Sequence, residues 1–296
     1  MMEIRVLRYF LTVAREESIT KAADVLHITQ PTLSRQLAQM EENMGVKLFD
    51  RGTRKITLTN EGLLLRRRAE EILALVDKTE QELTEQEDAV EGTVSLGCGD
   101  LGAVQLLPKL FQSFHERYPA VTFELYTATA DHVCEQMERG LIDVGLLLEP
   151  INMEKYDFIR LNQKENWVVV MPADSPLAQK QSITPADLKD LPLILPRRLS
   201  VQSELASWFG DDFEKLRVLF TSNLPTNSFV MVQHKLAYAI IIQGSTSMAD
   251  QEKIVCRPLS PALTASSVLA WRRQQPFGLA ASKFIEHIRK TFLHLV

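Results

Sequence analysis

The stretch SITKAADVLHITQPTLSRQL, residues 18–37, contains the clearest structural signals of the N-terminal part of the chain. Ser18 suits the cap of a helix, and the small pair Ala22-Ala23 allows that helix to cross a neighbour at close range. Thr29 is placed to cap the next helix, and Pro31 falls in its first turn, where the missing N–H costs nothing. The stretch therefore predicts two short helices joined by a tight turn.

The second helix of this stretch has two different faces. Leu33, Leu37 and Met40 repeat at spacings of four and three, which predicts that they face the interior. The opposite face carries short polar groups and one arginine, a set that suits base edges and phosphates in the major groove of DNA. The residues predicted to contact DNA from this helix are Thr29, Gln30, Pro31, Thr32, Ser34, Arg35 and Gln39.

Flanking segments complete a predicted winged helix-turn-helix over residues 1–60. Residues 3–16 contain an apolar stripe from Val6 to Ala14 at helical spacing, which predicts an amphipathic first helix. Residues 49–59 place two extended pieces around a basic turn that starts with a glycine, which predicts a β-wing. Basic side chains on such a wing lie along phosphates or enter a minor groove. The predicted wing contacts are Arg51, Arg54 and Lys55.

The distribution of charge supports a DNA-binding N-terminal part. The 296 residues are 45% hydrophobic and 24% charged, which excludes disordered, collagen-like and disulfide-rich classes. The net charge of −5 argues, taken alone, against a nucleic-acid binder. Residues 1–68, however, carry twelve Lys and Arg against eight Asp and Glu. That part is net +4 and the remainder net −9, an asymmetry expected when one end of a protein binds a polyanion.

Residues 2–62 resemble the N-terminal domain of the LysR-type transcriptional regulators. The residues that carry the resemblance are Phe10, Ala14, Ser18, Ala22-Ala23, Leu26, Gln30–Ser34, Gln36-Leu37, Glu41, Gly45, Leu48-Phe49, Arg51, Leu58-Thr59 and Glu61-Gly62. The resemblance implies that the third helix enters the major groove and that the wing contacts the flanking backbone. It thus implies double-stranded DNA as a partner, with the polar residues named above in the groove and Arg54 at the wing.

Residues 61–90 form one long helical pattern, which predicts a linker and dimerisation helix. Its apolar positions alternate spacings of four and three, as in the seam of a coiled coil. Such a rod needs a partner to bury its stripe, so we expect a homodimer; a helix packed on its own domain is the alternative. The seam runs through Leu65, Ala69, Ile72, Val76, Thr79, Leu83, Gln86 and Val90, with Leu65, Ala69, Ile72, Val76 and Leu83 as the predicted dimer contacts.

Dimerisation has a consequence for the DNA target. Two recognition helices about one turn of DNA apart predict an operator that is an interrupted palindrome. The resemblance agrees, since LysR-type regulators dimerise through a helix at this place and commonly form homotetramers. It also implies RNA polymerase as a further partner.

Residues 91–296 alternate short β-branched runs with helical runs, which predicts an α/β domain with a largely parallel sheet. They resemble the effector-binding domain of the family, which is built like a periplasmic binding protein. The resemblance implies lobe I at about 91–162 and 266–296, lobe II at about 163–265, and a small-molecule effector between them. The predicted strands are 93–97, 121–126, 142–148, 166–171, 192–195, 217–221, 238–242 and 266–271.

The position of side chains at strand ends predicts the effector site. Arg197 and the neighbouring Arg198 have the chemistry to bind a carboxylate. Asp100 stands at a helix N-terminus and would repel an anion, in which case the effector is neutral, cationic or bridged by a metal. The predicted effector contacts are Cys98, Gly99, Asp100, Thr127, Thr129, Pro196, Arg197, Ser200, Asn223 and Thr226. The segment 232–238 departs from the family, because His234-Lys235 replace a glycine-rich turn.

The segment Gly97–Gly102 imitates a dinucleotide-binding fingerprint. Its glycines follow the GxGxxG pattern after a predicted strand, and this supports an alternative function, an NAD(P)-binding oxidoreductase. Glu124, however, lies inside the second predicted strand rather than at its end. We therefore favour a tight strand-to-helix turn, whose free N–H groups would attract a small anion or carboxylate.

The remaining features exclude several classes of protein. Cys98, Cys134 and Cys256 are far apart and match no metal spacing, which predicts inert thiols, a reducing compartment and no metal site. The histidines fall in no nucleophile motif, so we expect no catalytic residues, no enzyme activity and no cofactor. The first ten residues do not begin an apolar segment of the kind found in a signal peptide, and no apolar run is long enough to span a membrane. These features predict a cytoplasmic protein rather than an exported solute-binding protein. A sequence-blind architectural DNA binder stays as a second alternative.

Overall fold

The computed structural model describes residues 3–51, 56–84, 90–248, 250 and 252–293. The chain divides into two compact units, Met1–Leu83 and Thr84–Val296, each with its own hydrophobic core. The elements described in the first unit are the helices α1 (Ile4–Glu16), α2 (Ile19–Val25), α3 (Gln30–Met44) and α4 (Asn60–Thr84), and the strands β1 (Phe49–Arg51) and β2 (Ile56–Leu58).

Helices α1 to α3 pack around one small core, which the wing closes. Ala22 and Ala23 are 0% and 2% exposed, as the predicted close helix crossing requires, and a larger side chain there would overpack it. Phe10 is fully buried, and its ring centroid lies 5.1 Å from that of Phe49 in β1. The predicted winged helix-turn-helix is therefore confirmed.

The two predicted helix caps differ in outcome. Ser18 Oγ accepts a hydrogen bond from the backbone N–H of Lys21 at 3.4 Å, as predicted. Thr29 stands at the N-cap position of α3, but its hydroxyl lies 2.9 Å from the hydroxyl of Thr32 and makes no capping bond, so that prediction is wrong. The neighbouring hydroxyl competes with the backbone N–H for the same side chain. Pro31 lies in the first turn of α3, as predicted.

A buried carboxylate connects α3 to the wing. Glu41 is 4% exposed, and its carboxylate accepts hydrogen bonds from the N–H groups of Leu48 at 2.7 Å and Phe49 at 3.3 Å and from Lys47 Nζ at 3.1 Å. Burial raises the pKa of the Glu41 carboxyl, but these hydrogen bonds outweigh burial and leave the pKa below its ordinary value. The ionised carboxylate therefore fixes the backbone at the start of β1.

In α4, the first half of the predicted dimerisation seam packs against its own unit. Ala69 is fully buried in the core of its own unit, and Leu65 and Ile72 pack against the same core. The first half of the seam is thus covered by its own domain, which was the alternative, and it needs no partner. Among the side chains of α4 that the structure describes, the large apolar ones that stay exposed are instead Leu63, Leu64 and Leu75.

The second half of the predicted seam is described only in part. Val76 is half-buried and Thr79 is exposed. The side chain of Leu83 and the whole of Gln86 lie outside the described residues, whereas Val90 packs against the core of the second unit. A dimer contact by Val76 or Leu83 stays a prediction.

The second unit is built on one sheet of nine strands. All eight predicted strands are found in it, and the ninth is β10. The strands are β3 (Gly92–Cys98), β4 (Val121–Thr127), β5 (Val144–Leu148), β6 (Tyr156–Pro172), β7 (Leu193–Pro196), β8 (Val218–Ser222), β9 (Tyr238–Ile242), β10 (Ile254–Pro258) and β11 (Thr264–Arg272). The helices are α5 (Leu107–Arg117), α6 (Ala130–Glu138), α7 (Pro185–Leu188), α8 (Leu199–Phe209), α9 (Thr226–Gln233) and α10 (Leu279–Leu293).

The sheet is mixed, so the prediction of a largely parallel sheet is wrong. Its strand order is β4-β3-β5-β11-β6-β9-β7-β8, and β10 pairs with β6. Strand β3 runs parallel to β4 and β5, and β7 runs parallel to β8 and β9. Strands β6 and β11 run antiparallel to their partners. The physical reason is that these two central strands carry the chain from one half of the sheet to the other and back.

The sequence pattern did not indicate β10 or the first half of β6. Strand β6 spans 17 residues, but only three of its first ten are buried, and these ten include several charged side chains. Such a segment has no apolar run, because one of its faces meets water. It is a strand because it pairs with β11, from Tyr156 opposite Arg272 to Asn166 opposite Thr264.

Strands β6 and β11 divide the sheet into two lobes. Lobe I contains β3, β4 and β5 with α5, α6 and α10, and lobe II contains β7 to β10 with α7 to α9. The crossing points expected near 162 and 265 fall inside β6 and β11. The α/β architecture with two lobes agrees with the predicted fold class.

We expect Glu41→Gln to destabilise the N-terminal unit by about 1–3 kcal/mol at neutral pH, because a neutral amide cannot replace a buried acceptor of three hydrogen bonds. The pKa of folded Glu41 lies below its ordinary value of 4.5, so its contribution is complete above that value. The contribution is lost as the pH falls through the lowered pKa. Urea unfolding followed by circular dichroism, from neutral to acidic pH, measures both effects.

The matched control is Glu42→Gln, one position along α3, where the carboxylate is exposed and accepts from Gln39. This control should change stability by less than about 0.5 kcal/mol. If Glu41→Gln unfolds with the same free energy and the same pH dependence as the wild type, the buried carboxylate does not hold the wing.

Candidate nucleic-acid interface and ligand cleft

The outer face of α3 is open to solvent. Gln30, Pro31, Thr32 and Arg35 are exposed, and Ser34 is half-buried. Because the opposite face of the helix fills the core, these side chains all lie on the outside of the unit. This is the arrangement predicted for contacts in a major groove.

Arg35 and Gln39 differ in how free their side chains are. Gln39 Nε2 donates to Glu42 Oε2 at 3.1 Å and to Asn43 Oδ1 at 3.2 Å. The Arg35 guanidinium has no hydrogen bond or ion pair within the described part of the chain. Arg35 therefore presents all its donors outward, in a planar fork that matches phosphate oxygens or the edge of guanine.

The wing is anchored to the rest of the first unit by its backbone. Strands β1 and β2 pair antiparallel, with Arg51 opposite Ile56, and the Ile56 N–H donates to the Glu17 carbonyl at 3.1 Å. The side chain of Arg51 and the whole of Arg54 and Lys55 lie outside the described residues. Their contacts with DNA stay a prediction.

A cavity of about 90 Å³ lies between the two lobes. It is found where the ends of β3 and β7 meet, as expected for a sheet with a crossover. Six predicted effector residues line it: Gly99, Asp100, Thr129, Pro196, Arg197 and Asn223. Ser200 lines an adjoining open pocket, which we call the vestibule and which shares Thr129, Arg197, Arg198 and Asn223 with the cavity.

Three predicted effector residues do not line the cavity. Cys98 is buried in the main core of the second unit, because it is the last residue of β3 and faces inward. Thr127 is exposed at the end of the edge strand β4. Thr226 starts α9, and its hydroxyl donates to Asp100 Oδ2 at 3.2 Å across the cleft. Sequence position alone did not distinguish these three from true lining residues.

The wall of the cavity is mostly apolar, and the sequence analysis missed this part. The apolar lining includes Leu101, Leu146, Leu148, Trp167, Val201 and Ile240. These side chains follow the same periodic patterns as ordinary core residues, so no local signal separates them. Only the packing of the two lobes leaves a gap beside them.

Arg198 joins the two lobes instead of facing a ligand. Its side chain is 10% exposed and donates to the carbonyls of Leu148 at 3.0 Å and Pro150 at 2.7 Å. It also contacts Asp131 Oδ1 from Nε at 3.1 Å. Because lobe I engages these donors, Arg198 is not free in this structure to bind an effector carboxylate, and that role stays an untested prediction. Arg197 is exposed and has no side-chain partner within the described residues.

The glycine-rich turn after β3 is already occupied by a protein carboxylate. Glu165 of β6 is 2% exposed and accepts from the N–H groups of Gly102 at 3.1 Å and Ala103 at 2.8 Å. Ser267 Oγ lies 3.3 Å from the same carboxylate. The N–H groups of Gly102 and Ala103, which were expected to be free, are thus engaged and are not available to a dinucleotide phosphate.

Backbone packing explains two glycines here. A Cβ on Gly244 would lie 2.0 Å from the Gly102 nitrogen, so the two chain segments approach at a distance that only glycine permits.

The segment 232–238, where the sequence departs from the family, needs no glycine for its turn. Lys235 itself adopts the left-handed conformation, with φ of 60°, and pairs with Asp174. None of residues 232–238 lines the cavity.

The thiols and possible metal ligands offer no further site. Burial, with the Asp100 carboxylate, raises the pKa of the Cys98 thiol, and burial likewise raises the pKa of Cys134. Little thiolate therefore forms at neutral pH. Within the described ranges, no three His, Cys, Asp or Glu side chains are grouped as metal ligands, and no helix is long and apolar enough to cross a bilayer.

Two family models match the sequence. Residues 4–63 match the bacterial regulatory helix-turn-helix protein, lysR family, and residues 87–293 match the LysR substrate binding domain. Similar proteins of Bacillus subtilis are the HTH-type transcriptional regulators YvbU, 31% identical over 98% of this chain and 99% of its own, and BsdA, 38% identical over 66% and 67%. The crystal structure of full-length CbnR with its target DNA shares the fold, with a TM-score of 0.74 and 23% identity over 98% of this chain and all of that one.

We expect Arg198→Ala to destabilise the second unit by about 3 kcal/mol, since it leaves two carbonyls without donors in a buried place. The control is Arg160→Ala. Arg160 makes two hydrogen bonds to Glu149, but its side chain is 54% exposed, and we expect a loss below about 1 kcal/mol. Urea unfolding followed by tryptophan fluorescence measures both, because Trp167, Trp208 and Trp271 all lie in this unit. Equal losses for the two variants would mean that Arg198 does not fasten the lobes.

Proposed function

The chain belongs to the LysR family of transcriptional regulators, and we propose that it reads its operator with the outer face of α3. It combines a helix-turn-helix DNA-binding domain with an effector-binding domain. The observation that carries the proposal is Arg35, which is exposed, unpaired within the described residues and has the exposed polar residues Thr32 and Gln39 on the same face of α3. An arginine with a free guanidinium makes the commonest base-specific contact, to guanine in the major groove.

We propose that two chains bind DNA together. On α4, Leu63, Leu64 and Leu75 are exposed, whereas Ala69 and Leu73 are buried. Exposed apolar groups of this kind mark an interaction surface. A dimer through α4 pairs two recognition helices, which favours an interrupted palindrome as the operator.

Exposed strands at the edges of the sheet in the second unit support an assembly larger than a dimer. The edge strands β4 and β8 of its sheet carry exposed apolar side chains, which are Leu125, Tyr126, Val218, Leu219 and Phe220. Uncovered edge strands with apolar side chains favour pairing with another chain. We propose that these edges join further copies into a homotetramer.

The proposed regulation starts in the cleft. A small molecule that binds between the lobes stabilises one arrangement of them, and this shifts the population of protomer arrangements in the assembly. The paired recognition helices then change their spacing and the bend of the DNA. We expect the regulator to act on RNA polymerase, and to work in the cytoplasm, where a bacterial chromosome lies.

The alternatives have less support. The oxidoreductase depended on the glycine-rich turn, whose N–H groups at Gly102 and Ala103 are held by Glu165. A sequence-blind architectural binder depended on the basic wing alone and predicts equal affinity for all duplexes. The homologues named above are transcriptional regulators.

We expect Arg35→Ala to weaken binding to the operator by about 1–3 kcal/mol while binding to unrelated duplex changes much less, because the side chain reads a base rather than phosphate alone. The operator is first identified as the strongest genomic fragment retained by the purified protein. Fluorescence anisotropy at constant salt then gives both affinities.

Arg139→Ala is the control for this experiment. It removes one positive charge from an exposed ion pair with Glu135 in the second unit, whereas α3 belongs to the first unit. Its affinity for the operator should equal that of the wild type. Equal losses of Arg35→Ala on both DNAs would refute base reading, and equal wild-type affinity for all fragments would favour the architectural binder.

We expect Leu75→Glu to dissociate the dimer and abolish specific DNA binding, because a charge in a paired helix seam is not compensated. Light scattering measures the oligomeric state. Leu65→Ala is the contrasting variant, since Leu65 packs in the core of its own unit. It should lower stability by about 2 kcal/mol without changing the oligomer. An intact dimer with Leu75→Glu would exclude this face of α4.

A further inference from the structure

We propose that the effector is an organic monocarboxylate whose compact apolar body carries one oxygen atom remote from the carboxylate. The apolar body and its oxygen occupy the cavity between the lobes, and the carboxylate lies in the vestibule. The proposal rests on the assignment of the cleft as the effector site. It adds the chemical class of the molecule, which follows from the residues of this chain.

The size and lining of the cavity select the apolar body. The cavity of about 90 Å³ is walled chiefly by aliphatic side chains and Trp167. An apolar cavity of roughly 150 Å³ holds benzene in another protein, so the space here suits a group of a few carbon atoms. The rest of a metabolite must then extend into the vestibule, which is about five times larger at about 460 Å³.

Two buried polar groups of the cavity lining predict the oxygen atom. Ser228 is 1% exposed and Trp167 is 3% exposed. Ser228 Oγ and Trp167 Nε1 have no hydrogen-bond partner within the described residues. Buried polar groups are nearly always paired, and each unpaired one lowers stability. The indole N–H can only donate and the hydroxyl can donate, so the group that would satisfy either of them is an acceptor oxygen on the ligand.

The charges around the cleft select a single negative group. Arg198 is already bonded to Asp131 and to two carbonyls of lobe I. Asp100 accepts a hydrogen bond from Thr226, and its negative charge opposes a second anion. Arg197 lines both spaces and is exposed with no side-chain partner within the described residues. It is therefore the one lining arginine that is available for a carboxylate.

The start of α8 strengthens the same end of the site. Leu199 and Ser200, the first two residues of this 11-residue helix, line the vestibule, and no side chain caps the helix. Backbone N–H groups at a helix N-terminus favour an anion. Together with Arg197 they place the carboxylate outside the apolar cavity, which leaves the oxygenated end of the molecule inside it.

Calorimetry on the full chain tests the proposal with two sets of matched compounds. The oxygenated acids are 4-hydroxybutanoate and 4-oxopentanoate, and butanoate and pentanoate lack the remote oxygen. The neutral analogues 4-hydroxybutanamide and 4-oxopentanamide lack the charge. We expect at least one oxygenated acid to bind, and to bind about tenfold or more tightly than its two matched analogues, as expected for the loss of one buried or charge-assisted hydrogen bond.

Two variants locate the contacts. Arg197→Gln should abolish the preference for the acid over its amide, and Ser228→Ala should reduce the preference for the oxygenated acid over its parent. The matched controls are Arg217→Gln and Ser207→Ala, both exposed residues of lobe II outside the cavity and the vestibule. These two should bind the acid as the wild type does, and unchanged circular dichroism confirms that each variant is folded.

The proposal is overturned if no acid of the set binds at millimolar concentration, or if an amide or an unoxygenated parent binds as tightly as the oxygenated acid. It is also overturned if Arg197→Gln keeps the preference for the acid. Retention of genomic DNA by the ligand-free protein is measured separately. Specific DNA binding without acid binding refutes the effector class alone, and acid binding without specific DNA binding refutes the proposed function alone.

Discussion

The second unit depends on the buried carboxylate of Glu165. It lies on a central strand of the sheet and accepts hydrogen bonds from the N–H groups of Gly102 and Ala103, while Ser267 of the neighbouring strand contacts it. A buried charge without these donors would be strongly destabilising, so the strand and the turn hold each other in place. Because the turn is fixed, Gly99 and Asp100 stay at the wall of the cavity.

The first unit uses the same physical device at a smaller scale. Glu41 accepts hydrogen bonds from the backbone at Leu48 and Phe49 and so fixes the wing next to α3. In both units the carboxylate that accepts several backbone hydrogen bonds is buried. The arginines available for recognition, Arg35 and Arg197, are exposed with no side-chain partner within the described residues. The charges that stabilise the fold and the charges available for recognition are thus carried by different residues. The recognition residues can therefore be substituted without loss of the fold.

The two lobes are joined across the cleft by polar contacts. Arg198 of lobe II bonds to Leu148, Pro150 and Asp131 of lobe I, and Thr226 bonds to Asp100. Three of these residues, Asp100, Leu148 and Arg198, also line the cavity. A molecule in the cavity therefore touches the groups that set the distance between the lobes. The free energy of binding can therefore stabilise one arrangement of the lobes relative to another, as a population shift requires.

Local sequence patterns predict the helix-turn-helix, the polar face of α3, all or part of eight of the nine strands of the second unit, and most polar residues of the cleft. These follow from local rules: Ser18 caps its own helix, Ala22 and Ala23 allow one close contact, and periodic apolar residues mark each buried face. The mixed sheet, the burial of Ala69, the engagement of Arg198 and the occupation of the glycine-rich turn by Glu165 arise only from tertiary packing. Each of these depends on a partner that is distant in the chain, 62 residues away for Glu165 and Ala103. No local pattern of spacing or charge records which distant group will take a donor, because that is settled when the strands pack.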